Sequence, residues 1–157
     1  TNLLLDIIKS SAPARIINTS SGLHKRAKID FDNLQAERSY KHMRVYGQTK
    51  LENVLFTKEL ARRLDGTGVT VNSFTPGMTS TNLGRYMSGG AKWFMRHMAR
   101  SPEKGASTGV YLATSQEVEG VTGKYFGDSR ELKSNKIADD VEIAKRLWKV
   151  SEELVGL

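Results

Sequence analysis

Residues 46–77 read YGQTKLENVLFTKELARRLDGTGVTVNSFTPG and contain a predicted helix, turn and strand in succession. Apolar side chains recur at helical spacing over 46–64 and fall on two sides of the helix, which predicts burial on both sides. Residues 65–68 are typical of a turn. The β-branched run Val69–Phe74 predicts a strand that ends at Pro76-Gly77.

Helices and strands alternate in the rest of the chain as well. The sequence predicts a helix over 1–10 that ends before Pro13, a strand over 15–20, an irregular glycine-containing flap over 78–100, a helix over 102–115, a short strand over 123–126 and a final amphipathic helix over 139–155. In that last helix, Asp139 and Glu142 have the spacing of a capping box. This order predicts an α/β fold with a parallel sheet, built as a single domain over 1–157.

Composition excludes several classes of protein. The 157 residues include no cysteine, so a disulfide framework and thiolate metal sites are excluded. The net charge is +7, from 24 basic and 17 acidic residues. The basic residues are scattered rather than gathered in a run, so we predict no nucleic-acid partner. No apolar run reaches the roughly 18 residues that a membrane-spanning helix needs.

The residues with the clearest chemical potential are Tyr46 and Lys50, four apart on the predicted helix and therefore on one face of it. The Tyr-x-x-x-Lys spacing alone is weak, and Tyr46 could be a core aromatic residue. Its context is more specific: a strand ending in Ser20-Ser21 precedes the pair, and a strand ending in Pro76-Gly77 follows it. The two serines could also act only as capping or turn residues. The three histidines lack metal-ligand spacing, and we predict no metal site.

This ordered pattern resembles the short-chain dehydrogenase/reductase family, most closely its retinol dehydrogenase branch. The similarity covers essentially the whole chain. It is carried by residues 11–21, 51–60 and 123–128 and by the Leu147-Trp148 pair. The resemblance implies the C-terminal part of a doubly wound Rossmann-type parallel sheet, without the N-terminal dinucleotide-binding βαβ units. It also implies an NAD(P)-dependent oxidoreductase that interconverts an alcohol and its aldehyde or ketone by hydride transfer.

The resemblance implies a role for each residue that matches the family pattern. Tyr46 corresponds to the catalytic tyrosine, Lys50 to the lysine that binds the nicotinamide ribose, and Ser21 to the serine that holds the substrate oxygen, with Ser20 as the alternative. Pro76, Gly77 and Thr81 correspond to the turn that meets the nicotinamide amide. A phenol has a pKa near ~10, and a neighbouring ammonium group favours its ionised form. Such a pair therefore suits acid–base catalysis near neutral pH.

The resemblance also implies partners and a location. We expect NADP as the cofactor, with NAD as the alternative, and a small apolar carbonyl or alcohol, retinoid-like or lipid-like, as the substrate. Met87, Trp93, Phe94, Met95 and Met98 could line its pocket or be plain packing residues. A homodimer is expected for the full-length form. The expected location is intracellular, with attachment to the endoplasmic reticulum or another membrane through a segment upstream of Thr1.

One family feature is missing from these 157 residues. No G-x-x-x-G-x-G phosphate loop is present, so we expect the isolated chain to bind cofactor poorly and to turn over little or nothing. This absence leaves open an alternative function, a non-catalytic interaction or dimerisation protein built on the same fold.

Overall fold

A four-stranded sheet forms the centre of the protein in the computed structural model, which describes residues 1–79 and 99–157. The strands lie in the order β1 (Ala14–Thr19), β2 (Val69–Phe74), β3 (Tyr125–Gly127) and β4 (Arg130–Glu131). β1, β2 and β3 are parallel, with Ile16 opposite Val71 and Ser73 opposite Tyr125. β4 returns antiparallel to β3.

Helices connect the parallel strands, as a parallel sheet requires. The four α-helices are α1 (Leu5–Ser10), α2 (His42–Arg63), α3 (Pro102–Thr114) and α4 (Val141–Val155). Of these, α2 lies between β1 and β2 and α3 between β2 and β3, whereas α1 precedes β1 and α4 follows β4. Short 3₁₀ helices cover Asn2–Leu4, Gly22–Arg26, Phe31–Asn33, Gln116–Val118 and Lys136–Asp139. The parallel sheet with its connecting helices confirms the α/β fold class expected from the sequence.

Helix α2 is buried on two sides, as its apolar pattern predicted. Leu51 and Leu55 pack in one core cluster with residues of β3 and α4. Leu60 and Leu64 pack in a second cluster with β2. Leu51, Leu55 and Leu60 are fully buried. The helix is therefore held by the sheet and by α4 at once.

Most predicted elements differ from the structure by one or more residues at an end, and two of the differences have a clear physical reason. Helix α2 begins at His42, a turn before the predicted start at Tyr46. Its N-cap, Lys41, makes no side-chain capping bond, and residues 42–44 are exposed, so neither a cap nor an apolar period marks the true start. The strand predicted over 123–126 begins at Tyr125 instead, because Gly123 has a φ of 72° and cannot continue a strand.

The predicted capping box of Asp139 and Glu142 at the start of α4 is wrong. Asp140, not Asp139, is the N-cap, and its carboxylate accepts hydrogen bonds from the backbone N–H groups of Glu142 (2.9 Å) and Ile143 (3.1 Å). Asp139 instead forms an ion pair with Lys58 of α2. The apolar stripe predicted for this helix is also only partly buried. Ala144, Leu147 and Trp148 lie in the core, whereas Val141, Leu154 and Val155 are exposed.

The two neighbouring aspartates give a direct test of this cap. We expect Asp140→Ala to lower the free energy of unfolding by about 1 kcal/mol, because two N–H groups of the first turn lose their acceptor. Asp139→Ala removes only a surface ion pair and should cost less than about 0.5 kcal/mol. Urea denaturation of the two full-length variants measures the difference. Equal losses would show that Asp140 does not cap the helix.

Candidate functional site

Three side-chain hydrogen bonds join the carboxyl end of β1 to helix α2, and we call them the strand-end ladder. They run from Asn18 Nδ2 to Thr57 Oγ1 (2.9 Å), from Asn53 Nδ2 to the Thr19 carbonyl oxygen (2.9 Å) and from Ser20 Oγ to the Lys50 carbonyl oxygen (2.8 Å). Residues 50, 53 and 57 lie on one side of a helix. The ladder therefore fixes the rotation of α2 about its own axis and its position along that axis, relative to the end of β1.

Tyr46 and Lys50 lie one turn apart beside this ladder. The Lys50 ammonium nitrogen is 5.6 Å from the centroid of the Tyr46 ring, within the range of a cation–π attraction. Both side chains are half-buried. Among the ion pairs formed by residues 1–79 and 99–157, none includes Lys50, so its ammonium group has hydrogen-bonding capacity for a ligand hydroxyl.

Helix α2 lies next to the serine loop at Gly47. A Cβ atom at this position would lie 3.5 Å from the Leu23 carbonyl oxygen and 3.5 Å from the Ala27 Cβ atom. Helix α2 thus packs at Gly47 against the 3₁₀ helix Gly22–Arg26, which begins directly after Ser21. This contact, together with the Ser20–Lys50 bond, brings the turn that carries Tyr46 to the loop that carries Ser21.

The two adjacent serines have different environments. Ser20 is buried (2 % exposed), and its hydroxyl proton is given to the Lys50 carbonyl oxygen. Ser21 is half-buried and is the N-cap of the 3₁₀ helix, where its Oγ accepts a long hydrogen bond (3.4 Å) from the Leu23 N–H. Because Ser21 acts there as an acceptor, its hydroxyl proton is left for another acceptor. Of the two serines, Ser21 is therefore the better candidate for holding a substrate oxygen.

The end of β2 adjoins the same edge of the sheet. The Ser20 N–H donates to the Phe74 carbonyl oxygen (2.7 Å), and Pro76-Gly77 follows two residues later. Gly77 has a φ of 73°, and a Cβ atom there would lie 3.2 Å from the guanidinium group of Arg100. Arg100 also pairs with Asp128, and its hydrogen bond lowers the pKa of that carboxyl group. The Arg100 N–H also donates to the Met78 carbonyl oxygen (2.7 Å), so Arg100 links the residue after the Pro-Gly turn to the turn between β3 and β4.

Part of the predicted site lies outside the described residues. Thr81 falls within 80–98, as do Met87, Trp93, Phe94, Met95 and Met98. Their predicted roles in cofactor binding and in the substrate pocket stay predictions. In the described ranges 1–79 and 99–157, no group of three or more histidine or carboxylate side chains is placed to hold a metal ion. No helix within these ranges combines the length and apolar character needed to cross a membrane.

Sequence reasoning missed one buried polar residue beside the site, His24. Its side chain is fully buried, and it contacts the Ser21 carbonyl oxygen and the backbone N–H of Asn135. The sequence feature that could have indicated a role for His24 is its position three residues after Ser21. Its partner Asn135 is 111 residues away in the chain, so spacing could not reveal the pair.

The residues present fit one end of a nicotinamide dinucleotide. Lys50 offers donors for ribose hydroxyls, and the turn at Pro76-Gly77 lies at the adjacent strand end. In open α/β sheets, ligands bind outside the carboxyl ends of the parallel strands, which is where these groups meet. The phosphate-binding loop that would hold the rest of such a cofactor is absent from the 157 residues.

The chain is similar to a known family and to several known proteins. Residues 12–126 match the family model described as enoyl-(acyl carrier protein) reductase. The whole chain aligns at 48 % identity with human retinol dehydrogenase 14 and at 46 % with mouse retinol dehydrogenase 13, covering 48 % and 50 % of those proteins. The chain therefore spans about half the length of the curated relatives it matches.

A solved structure supports the fold independently of these relatives. The crystal structure of an uncharacterised protein from Mycobacterium paratuberculosis superimposes with a TM-score of 0.67 and 25 % identity, over 90 % of this chain and 50 % of that one. The family match, the relatives and the shared fold together show that the chain belongs to the short-chain dehydrogenase/reductase family, in its retinol dehydrogenase-like branch.

Proposed function

We propose that the full-length protein is an NAD(P)-dependent oxidoreductase that interconverts an alcohol and its aldehyde or ketone, with Tyr46 as the acid–base group. The observation that carries this proposal is the Tyr46–Lys50 pair, fixed by the strand-end ladder next to Ser21. The proposal assigns the acid–base role to Tyr46, the cation to Lys50 and the hydroxyl donor to Ser21, and it is supported by their positions on elements at the carboxyl edge of the parallel sheet. This is the edge at which ligands bind in open α/β folds.

Each of the three side chains has a separate task in the proposed reaction. A bound nicotinamide cofactor supplies the hydride chemistry. In the reductive direction, Tyr46 gives its phenolic proton to the carbonyl oxygen as that oxygen gains negative charge. Ser21 donates a hydrogen bond to the same oxygen and stabilises the charge. The Lys50 ammonium group, which lies beside the Tyr46 ring, can bind ribose hydroxyls. The oxidative direction reverses these proton movements.

The substrate class and the cofactor belong to the same proposal. The names of the relatives point to retinol and its aldehyde, so we propose a retinoid-like or lipid-like apolar carbonyl as the substrate. We propose NADP as the preferred cofactor, with NAD as the alternative. We also propose that the full-length protein is a homodimer. We propose an intracellular location, with membrane attachment through a part of the protein outside the described helices.

The test is the oxidation of NADPH and of NADH by the longest protein product that contains this chain. All-trans-retinal and a medium-chain aldehyde serve as substrates, and reduced-cofactor absorbance is followed. Turnover that is faster with NADPH supports the proposal. Cofactor binding without turnover of either aldehyde contradicts the proposed substrate class. Failure to bind either cofactor contradicts the enzyme assignment and favours the non-catalytic interaction protein.

The neighbouring serines provide a matched pair of variants. We expect Ser21→Ala to lower kcat by about 10²–10³-fold, because one donor to the developing oxyanion is lost. Ser20→Ala removes a bond within the strand-end ladder and should lower the free energy of unfolding by about 1 kcal/mol, with a smaller effect on kcat. Steady-state kinetics and urea denaturation of both variants separate the two effects. A larger loss of kcat in Ser20→Ala would reverse the assignment.

A further inference from the structure

His24 is joined through both ring nitrogens to backbone groups. Its Nδ1 lies 2.6 Å from the Ser21 carbonyl oxygen, and its Nε2 lies 3.3 Å from the backbone nitrogen of Asn135. A carbonyl oxygen can only accept a hydrogen bond, and a backbone N–H can only donate one. Both contacts are satisfied at once only when the ring is neutral and carries its proton on Nδ1.

Asn135 strengthens the same connection from the other side. Its side-chain nitrogen donates to the carbonyl oxygens of His24 (2.9 Å) and Ala27 (2.8 Å), and its Oδ1 accepts from the Ile137 N–H (3.0 Å). The rings of His24 and Tyr125 pack in a T-shaped arrangement, with the ring centroids 4.5 Å apart. The loop after β1 is therefore fastened to the segment before α4 by buried bonds in a closely packed setting.

We infer that neutral His24 is a positioning residue that holds the Ser21 backbone, and with it the Ser21 hydroxyl, beside Tyr46. The inference rests on the proposed function. His24 does not touch the reacting atoms. It acts through the Ser21 carbonyl oxygen, the only polar atom of Ser21 that it contacts among the described hydrogen bonds. A displacement of the serine by about 1 Å is enough to lower a rate by about 10²-fold.

The surroundings of His24 favour its neutral form. Burial lowers its pKa most, the hydrogen bond with Ser21 opposes this effect, and the ammonium groups of Lys25 and Lys58 lower the pKa further. Lys58 lies on α2 and is itself paired with Asp139, while Tyr125 faces the ring from β3. A proton added to Nε2 would meet the Asn135 N–H and break that bond.

The sign of the pH dependence follows from the lowered pKa. The unfolded chain binds a proton to this histidine below about pH 6.5, while the folded protein resists protonation until a lower pH. The stability that neutral His24 contributes to the folded protein is therefore complete above about pH 6.5. It is lost as the pH falls through the lowered pKa of His24 in the folded protein. We expect kcat to fall over the same acidic pH range, and we call this fall the acid limb of the pH profile of kcat.

The test compares His24→Leu with His24→Asn in the full-length protein. Leucine removes both ring contacts, and we expect kcat to fall by about 10²-fold with the KM for cofactor unchanged. The shorter asparagine keeps a nitrogen donor for the Ser21 carbonyl oxygen, so it should restore most of the lost kcat. Because an amide does not titrate, it should also abolish the part of the acid limb that belongs to His24. His42→Leu, at an exposed histidine of α2, is the matched control and should behave like the unchanged protein.

The outcomes distinguish this inference from the proposed function. If the unchanged protein shows no turnover, the proposed function fails, and the inference fails with it. If the unchanged protein is active and His24→Leu matches it, the inference alone is overturned. Equal losses of kcat in the leucine and asparagine variants would also overturn it, because they would indicate a packing role. Should the leucine variant not fold, an unchanged acid limb in His24→Asn would still refute the inference.

Discussion

Replacing Tyr46 by phenylalanine in the full-length protein is expected to lower kcat by about 10²–10⁴-fold, the usual contribution of a positioned acid–base group. The change removes one oxygen atom from a half-buried ring and leaves the ring contact with Lys50 in place. The strand-end ladder does not use the Tyr46 hydroxyl, so the fold should survive. Steady-state kinetics with NADPH and an aldehyde measure the loss, and near-ultraviolet circular dichroism checks the fold.

The matched control is Tyr40→Phe. Tyr40 is 68 % exposed and precedes helix α2, so loss of its hydroxyl should leave kcat unchanged. If Tyr46→Phe retains the kcat of the unchanged protein, Tyr46 is not the acid–base group. Such a result would favour the non-catalytic interaction protein only if cofactor binding were also absent.

The largest expected effect on stability is that of Leu55→Ala. Leu55 is fully buried in α2 and packs in the cluster that joins this helix to β3 and α4. Truncation to alanine leaves a cavity in a closely packed interior and should lower the free energy of unfolding by about 2–5 kcal/mol. Urea denaturation of the full-length protein measures the change in midpoint and slope.

Leu154→Ala is the control for this variant. Leu154 is 53 % exposed near the end of α4, and its truncation should change the free energy of unfolding by less than about 0.5 kcal/mol. A loss in Leu55→Ala as small as that of the control would mean that α2 is not enclosed as the structure shows.

The helix interiors and the three parallel strands were predictable because local patterns specify them, whereas the two-residue strand β4 was not predicted. Val69–Phe74 was predicted to the residue, since a β-branched run is bounded there by Gly68 and by Thr75-Pro76. The ends of elements were less predictable. Two adjacent aspartates precede α4, and only the 3₁₀ turn Lys136–Asp139 determines that the second one caps the helix.

The candidate site likewise has features that the sequence predicts and features that it does not. The four-residue spacing of Tyr46 and Lys50 predicted that they share a helix face, and the structure places the Lys50 ammonium near the Tyr46 ring. The different hydrogen bonding of Ser20 and Ser21 could not be predicted, because it depends on the position of the Lys50 carbonyl oxygen in space. The contact of His24 with Asn135 joins two distant parts of the chain, and no local pattern encodes it.

Two of the three ladder bonds end on main-chain oxygen atoms, those of Thr19 and Lys50. The side chains of these two residues can therefore change without loss of the bonds that fix the helix. Mutational drift at Lys50 would remove the ammonium group and leave the architecture intact. Under the proposed function, a descendant of this protein could in this way lose its chemistry and persist as a stable pseudoenzyme, because the ladder uses the main chain of Lys50 and the proposed reaction uses its side chain.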